Sequence, residues 1–361
     1  MRIKASSTDT TNKGSCRGRR DFSFFAYLFI MIKKYKFFLD AFDWAEYYIM
    51  QNFRRYGGIT MSFKVFIDGK AGTAGLELSQ LLAERDDITI LEIDEENRKN
   101  LEAKLELMKS ADLTFLCLPD AAAVEMADAA PAQCRIIDTS TAHRTKDGWT
   151  YGMPEIGYRD EIRTSNRVAN PGCHATGFIM AARPLVECGI VGKDHPFAAT
   201  SLTGFSGGGK QMIAEYGDEG RDPRIDSPAQ YALAQTHKHL PEMTKYAFLD
   251  KEPFFMPIVA DYYRGMSTSV PVFCGPGLEK VYDTFADYYK DEKQVTVVKA
   301  EEPRIYANEM AGSNAVKIFV YGNDERTLIN VCFDNLGKGA AGAAVQNMNI
   351  MLGIEELKGL V

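Results

Sequence analysis

From residue 61 onward, short apolar runs alternate with glycine-marked turns and amphipathic stretches. Residues 63–68 predict a strand, Gly69-Lys-Ala-Gly72-Thr73-Ala74-Gly75 a glycine-rich turn, and residues 76–83 an amphipathic helix. Residues 88–93, 112–119 and 135–140 predict three more strands, with an alanine-rich helix over 121–130 between the last two. Alternation of strand and helix implies an α/β domain built on a Rossmann-like, doubly wound parallel sheet. In such a sheet ligands lie at the carboxyl ends of the strands, where Pro119 and Ser140 fall, so both are expected to line a cofactor cleft.

The second half changes character. An apolar helix is expected from Cys173, bent or ended by Pro184, followed by a strand over 197–202 and the loop Thr203-Gly-Phe-Ser-Gly-Gly-Gly-Lys210. Residues 211–230 read as an irregular excursion. Strands are expected at 267–272, 295–298 and 315–320, a helix at 282–289, and a final helix over 340–352 packed back on the first half. β-branched strands with few helices predict a second, α+β domain with a mixed sheet.

Candidate chemistry concentrates at Asn170-Pro-Gly-Cys173, which sets one thiol after a Pro-Gly turn at the head of a helix. Unpaired N–H groups and the partial positive charge of a helix start favour a thiolate and an oxyanion beside it. His237-Lys-His239-Leu-Pro241-Glu242 adds two of the five histidines. Pro241 disfavours a helical Leu240, so an extended His-Lys-His with both rings on one side is expected, and Glu242 falls just inside the following helix. No third ligand with metal-site spacing accompanies them, so no metal is expected. Arg144 and Lys210 are candidates for holding a substrate anion, by a guanidinium clamp and from an anion-cradling loop. The glycine turn suits a dinucleotide diphosphate. Asp94, at the end of the second strand, favours NAD, whereas Arg98 and Lys99 favour the extra phosphate of NADP. The amide of Asn335 is expected to pair with a nicotinamide carboxamide.

Composition narrows the class. The chain has 361 residues, 45% hydrophobic and 25% charged, and a net charge of −7. Residues 1–60 carry +6 and the remainder −13, so the main body is too acidic for a nucleic-acid binder. The seven scattered cysteines form no C-x-x-C pair, which excludes a disulfide framework and fits a reducing cytoplasm. The apolar run at 24–32 between Arg19-Arg20 and Lys33-Lys34 is too short to span a bilayer. Gly57-Gly-Ile-Thr-Met61 is what an in-frame ribosome-binding sequence would encode, so residues 1–60 are expected to be a non-native extension and Met61 the native start.

The glycine turn, Asn170-Pro-Gly-Cys173, Ser206-Gly-Gly-Gly-Lys210, His237-Lys-His-Leu-Pro-Glu242 and Asp334-Asn-Leu-Gly-Lys-Gly-Ala-Ala-Gly342, taken in order, resemble the shorter type of N-acetyl-gamma-glutamyl-phosphate reductase, in the semialdehyde dehydrogenase superfamily. The resemblance implies NADPH-dependent reduction of N-acetyl-L-glutamyl 5-phosphate to the 5-semialdehyde in arginine biosynthesis, with Cys173 forming a thioester. It implies His237 as general acid-base with His239 in reserve. Arg144, Asn170, Lys210, His239, Glu242 and Arg264 would bind substrate. Gly69, Gly72, Thr73, Ala74, Gly75, Pro119, Ser140 and Asn335 would hold NADP. Residues 61–172 with 336–361 would form the NADP-binding domain and 173–335 the catalytic and oligomerisation domain, in a cytoplasmic dimer or tetramer. Aspartate-semialdehyde dehydrogenase and a non-catalytic NADP-binding regulatory protein are the alternatives.

Overall fold

The computed structural model describes residues 62–273, 277–299 and 303–360; the expectations for residues 1–60 lie outside them. Six parallel strands form the first sheet, in the order β2-β1-β3-β4-β6-β5. They are β1 (Phe63–Asp68), β2 (Ile88–Leu91), β3 (Leu113–Leu116), β4 (Ile136–Asp138), β5 (Thr150–Tyr151) and β6 (Arg167–Ala169). Side chains alternate across this sheet, and both faces are covered. Val65, Ile67 and Phe115 enter one core with the last helix, while Phe66 and Leu116 enter the opposite one with Met108 and Met126.

Helices α1 (Thr73–Ala83), α2 (Leu101–Ser110), α3 (Asp120–Ala129) and α4 (Arg159–Thr164) connect these strands. Helix α1 starts three residues earlier than the periodicity predicts, because Gly72 caps it and Gly75 belongs to its first turn. The turn before it needs glycine for a physical reason. Gly69 has φ +86°, and a Cβ there would overlap the Cys117 carbonyl, so no L side chain fits the crossing of β1 with the end of β3.

A seven-stranded mixed sheet follows, in the order β11-β12-β13-β10-β7-β9-β8. It comprises β7 (Ala198–Gly204), β8 (Ala229–Gln230), β9 (Phe254–Ala260), β10 (Met266–Val272), β11 (Val295–Lys299), β12 (Val316–Gly322) and β13 (Thr327–Phe333). Its core wraps α5 (Cys173–Glu187), which is buried from His174 to Val186. Pro184 neither ends this helix nor leaves a carbonyl unmet. Proline removes the N–H that would bond Met180 O, and the Tyr289 hydroxyl donates to that oxygen instead, at 2.9 Å.

Helix α6 (Gly209–Gly217) occupies the first third of the expected irregular stretch, and α7 (Leu240–Tyr246) and α8 (Leu278–Tyr288) complete the second layer. The chain returns through a wide helical turn at Gly337–Ala341 to α9 (Gly342–Leu352), which packs Val345, Met348 and Met351 on the first sheet. Both sheets cohere as one compact unit, Ser62–Val361. Among the described residues no helix is long and apolar enough to cross a membrane.

Gly69→Ala is expected to lower stability by roughly 1–3 kcal/mol through forced positive φ and the Cys117 overlap. A urea titration with an unchanged midpoint would show that the turn imposes no such constraint.

Candidate active site

Cys173, Arg144, His237 and His239 border a single cavity of about 390 Å³, together with Asn170, Asn335 and the start of α1 at Thr73 and Ala74. The first helical bond of α5 runs from the Thr176 N–H to Gly172 O, which leaves the N–H groups of Cys173, His174 and Ala175 without helical acceptors. The backbone N–H of His174 favours the charged form of the Cys173 sulfur beside it. Burial nevertheless dominates and pushes the thiol up to about 11, against the pull of the Arg144 guanidinium. The thiolate is therefore not preformed. Proton removal must accompany its attack.

Glu242 organises the wall behind the thiol. It is 1% exposed, accepts from Arg144 Nη1 at 2.7 Å, the Tyr151 hydroxyl at 2.8 Å and the Gly172 N–H at 3.1 Å, and does not itself border the cavity. Arg144 also donates to the carbonyls of Asn170 and Thr139, while its own carbonyl accepts from the Tyr246 hydroxyl at 2.7 Å. Tyr246 in turn stacks on Tyr151 with ring centroids 3.7 Å apart. Helix α7 thus grips the Arg144 loop at both ends. Gly172 fits between them only because it lacks a side chain: a Cβ would meet Arg144 Nη1 and His239 Nε2.

The His-Lys-His segment is not extended. His239 has helical dihedrals and the Leu240 N–H bonds His237 O, so the segment is a turn whose two rings meet edge to face 4.6 Å apart. A tight turn serves the cavity as well as a strand would have, because it stacks both imidazoles on one side. His237 Nδ1 accepts the His239 N–H at 3.2 Å, which puts the proton of the neutral ring on Nε2. While that bond lasts, His237 has no lone pair to take a proton from the thiol. His239 is buried, and its Nδ1 has no partner. Burial and the Arg144 charge hold His239 well below the usual imidazole range, and burial first, then Lys238, takes His237 down to about 4. Both rings are neutral at pH 7.

Sequence reasoning passed over a third imidazole. His174 joins Ser201 Oγ at 2.7 Å and the Tyr231 hydroxyl at 2.6 Å, and its ring lies 5.6 Å from that of His237. Its position beside the thiol was the available signal; its partners come from β7 and a distant loop.

Other expected residues lie apart from the cavity. Lys210 is exposed on α6. Arg264 pairs with Glu77 at 2.6 Å and the buried Asp334 at 3.0 Å, which ties the second sheet to α1 and occupies its charge. Ser140 donates to Asp138 at 2.6 Å and caps a local turn, and Pro119 is exposed at the head of α3. Asn335 does border the cavity, but its amide donates to Ser206 Oγ at 2.9 Å and accepts the Gly265 N–H at 2.8 Å. Asn170 is likewise engaged, with the Ala340 carbonyl and Asn347. Arg98 pairs with Glu95, 3.1 Å away, on the surface, and Lys99 is exposed beside it.

The glycine cradle fits a dinucleotide. A Cβ at Gly75 would press on the Gly69 carbonyl at 2.5 Å, α1 presents its N-terminus, and Thr73 Oγ1 there is buried without a partner. A parallel sheet with such a cradle, facing a mixed sheet that carries a helix-start cysteine, defines a semialdehyde dehydrogenase. Comparison with known proteins agrees. Residues 64–165 match the semialdehyde dehydrogenase NAD binding domain and residues 173–335 the semialdehyde dehydrogenase dimerisation domain. N-acetyl-gamma-glutamyl-phosphate reductases of Brucella ovis and Brucella canis are each 41% identical to this chain, over 81% of it and 100% of their own length. The chain belongs to the N-acetyl-gamma-glutamyl-phosphate reductase family. Among solved structures, aspartate semialdehyde dehydrogenase II from Vibrio cholerae complexed with ASA has the same fold, with TM-score 0.62 and 16% identity over 81% of this chain and 99% of that one. The Candida albicans aspartate semialdehyde dehydrogenase with NADP gives TM-score 0.58 and 14% identity, over 82% of this chain and 99% of that one.

Two outcomes test this geometry. Inactivation of the ligand-free protein by iodoacetamide should rise about tenfold per pH unit between pH 7 and 10, as for a thiol titrating near 11; a plateau below pH 8 would mean a preformed thiolate. Glu242→Gln leaves Arg144 buried without a charged partner and should cost about 3–5 kcal/mol, seen as a lower calorimetric melting temperature.

Proposed function

We propose that this protein reduces N-acetyl-L-glutamyl 5-phosphate to N-acetyl-L-glutamate 5-semialdehyde, with NADPH as reductant and release of phosphate, in the cytoplasm and in arginine biosynthesis. The observation that carries this reading is the shared cavity: one wall holds the Cys173 thiol with Arg144 and two neutral imidazoles, and the other holds the start of α1 beneath the glycine cradle.

Chemistry orders the steps. An acyl phosphate resists direct hydride attack, so the Cys173 sulfur first adds to the acyl carbon, forming the C–S bond, and phosphate leaves with the electrons of the C–O bond. The guanidinium of Arg144 keeps donors beyond those given to Glu242, Asn170 and Thr139, and these meet the departing phosphate or the α-carboxylate. N–H groups at the start of α5 steady the oxyanion that develops on the acyl oxygen. Gly69, Gly72, Thr73, Ala74 and Gly75 would hold NADPH, whose chemistry there would be donation of the hydride that reduces the thioester. Collapse of the thiohemiacetal then frees the aldehyde and returns the thiol.

The proton traffic falls to His239. Its Nδ1 has no partner, and its Nε2 lies 4.0 Å from Glu242 Oε1. His237, whose Nδ1 is taken, serves as an Nε2–H donor toward the substrate. This reverses the roles inferred from the motif, on the ground of the tautomer. The two sheets are read as an NADP-binding domain, 61–172 with 336–361, and a catalytic domain, 173–335, through which a homodimer forms. The dimerisation-domain match supports that assembly.

The deciding assay runs the reaction backwards, with phosphate and either N-acetylglutamate semialdehyde or aspartate semialdehyde, and follows NADP reduction. The first aldehyde should react and the second should not; preference for the second would overturn the substrate assignment, and no reaction with either would favour a binding protein. Cys173→Ser should lose activity by about 10³-fold or more. His239→Asn should lose more kcat than His237→Asn, by roughly tenfold or more within the range of general acid-base catalysis, and the opposite order would restore His237 as the acid-base.

A further inference from the structure

One buried chain of polar side chains takes no part in the steps above. Thr268 on β10, Ser201 on β7 and His174 on α5 are at most 2% exposed and run in line: Thr268 Oγ1 lies 2.8 Å from Ser201 Oγ, which lies 2.7 Å from His174 Nδ1. The other ring nitrogen, Nε2, lies 2.6 Å from the Tyr231 hydroxyl, and His174 and Tyr231 both border the cavity of Cys173. The loop that carries Tyr231 is fixed despite strain. Ala232 and Gln235 adopt positive φ, +52° and +56°, while the Gln235 amide donates to the Phe255 carbonyl at 2.8 Å and accepts its N–H at 2.9 Å. The Tyr231 N–H donates to Pro257 O at 3.1 Å. Contacts with β9 thus hold the backbone, and His174 holds the hydroxyl.

The protons give this chain a direction. Among the described residues Thr268 Oγ1 has no partner except Ser201, so its O–H donates to Ser201 rather than staying buried without an acceptor. Ser201 then donates to His174 Nδ1. Burial, with His237 nearby, takes His174 down to about 3, so the ring is neutral at pH 7 and, with Nδ1 accepting, carries its one proton on Nε2. That N–H donates to the Tyr231 oxygen. The phenolic O–H is left free, since His174 is its oxygen's only partner among the described residues. Its surroundings are uncharged: the neutral rings of His174 and His237 lie 6.1 and 6.0 Å from that of Tyr231. A neutral donor in such a place suits an uncharged acceptor, while the anionic groups of a substrate go to Arg144.

We propose that His174, backed by Ser201 and Thr268, is a positioning residue that makes the Tyr231 hydroxyl a hydrogen-bond donor to the acetamido carbonyl of the substrate. This rests on the reaction assigned above, in which the acyl oxygen already has the N–H groups of α5. The test follows NADP reduction by the full-length protein with phosphate and either N-acetylglutamate semialdehyde or 5-oxopentanoate, the analogue without the acetamido group. Tyr231→Phe and His174→Phe should each raise KM for the first aldehyde by roughly threefold to tenfold, as for loss of one neutral hydrogen bond, with little change in kcat. Neither should alter kcat/KM for the analogue. His174→Gln keeps an N–H for the phenol and should restore most of the KM. The double variant of both phenylalanines should be no worse than Tyr231→Phe alone, because a residue that acts only through the phenol then has nothing to act on. Tyr231→Phe removes one oxygen from a half-buried ring, so it keeps the test decisive where His174→Phe does not fold. Wild-type KM in Tyr231→Phe, additive losses in the double variant, or an equal loss with the analogue would overturn the proposal. A wild-type protein inactive with N-acetylglutamate semialdehyde would instead overturn the substrate assignment, and the proposal with it.

Discussion

The buried carboxylate of Glu242 is the contact on which the catalytic cavity depends. It joins a guanidinium from the first sheet's loops, a phenol from β5 and the backbone N–H that precedes the nucleophile. A buried ion pair gains little over an apolar replacement, and its value here is positional. Because Glu242 accepts three donors, it can sit in one place only. Arg144, Gly172 and helix α7 are fixed with it, and the thiol follows as the next residue after Gly172.

Burial around this anchor sets the protonation state of everything that reacts. Taken out of water, the thiol holds its proton and the imidazoles remain without one. Thiol and base are therefore both neutral before substrate arrives, which protects the sulfur from stray electrophiles. Transfer of the proton then coincides with the attack that needs it. The positive Arg144 next to both groups works in the same direction on each: it favours the thiolate and disfavours imidazolium.

The same economy of buried pairs recurs on the far side of the turn that follows β13. Lys338 and Glu155 lock that turn, and Gly339 in it leaves just enough room for the Cys173 Cβ, which a methyl group there would approach to 2.9 Å. Gly339 thus borders the catalytic cavity, while Lys338 beside it holds Glu155, which borders a second cavity.

Periodicity alone determined the parallel sheet, the glycine turn and the nucleophile at a helix start, since each is a local pattern whose physical cause lies within a few residues. The two-residue β5 and three-residue β6 escaped it because strands that short carry no period, and α1 began early because a glycine inside a helix reads as a loop. The extended form expected of His237 to His239 failed for a different reason: a proline's bias against helix is weak, and burial of Leu240 and Met243 outweighs it. Ordered motifs also gave the chemistry its family. Only the tertiary structure could say that Arg264, Lys210, Ser140 and Pro119 lie outside the cavity, that Glu242 stands behind it, and that His237 Nδ1 is already engaged. Those facts depend on which partners meet across more than a hundred residues of chain, as Tyr246 meets Arg144, and on how much water each group has lost. A sequence names the groups that can ionise, but burial and hydrogen-bond partners decide which of them do.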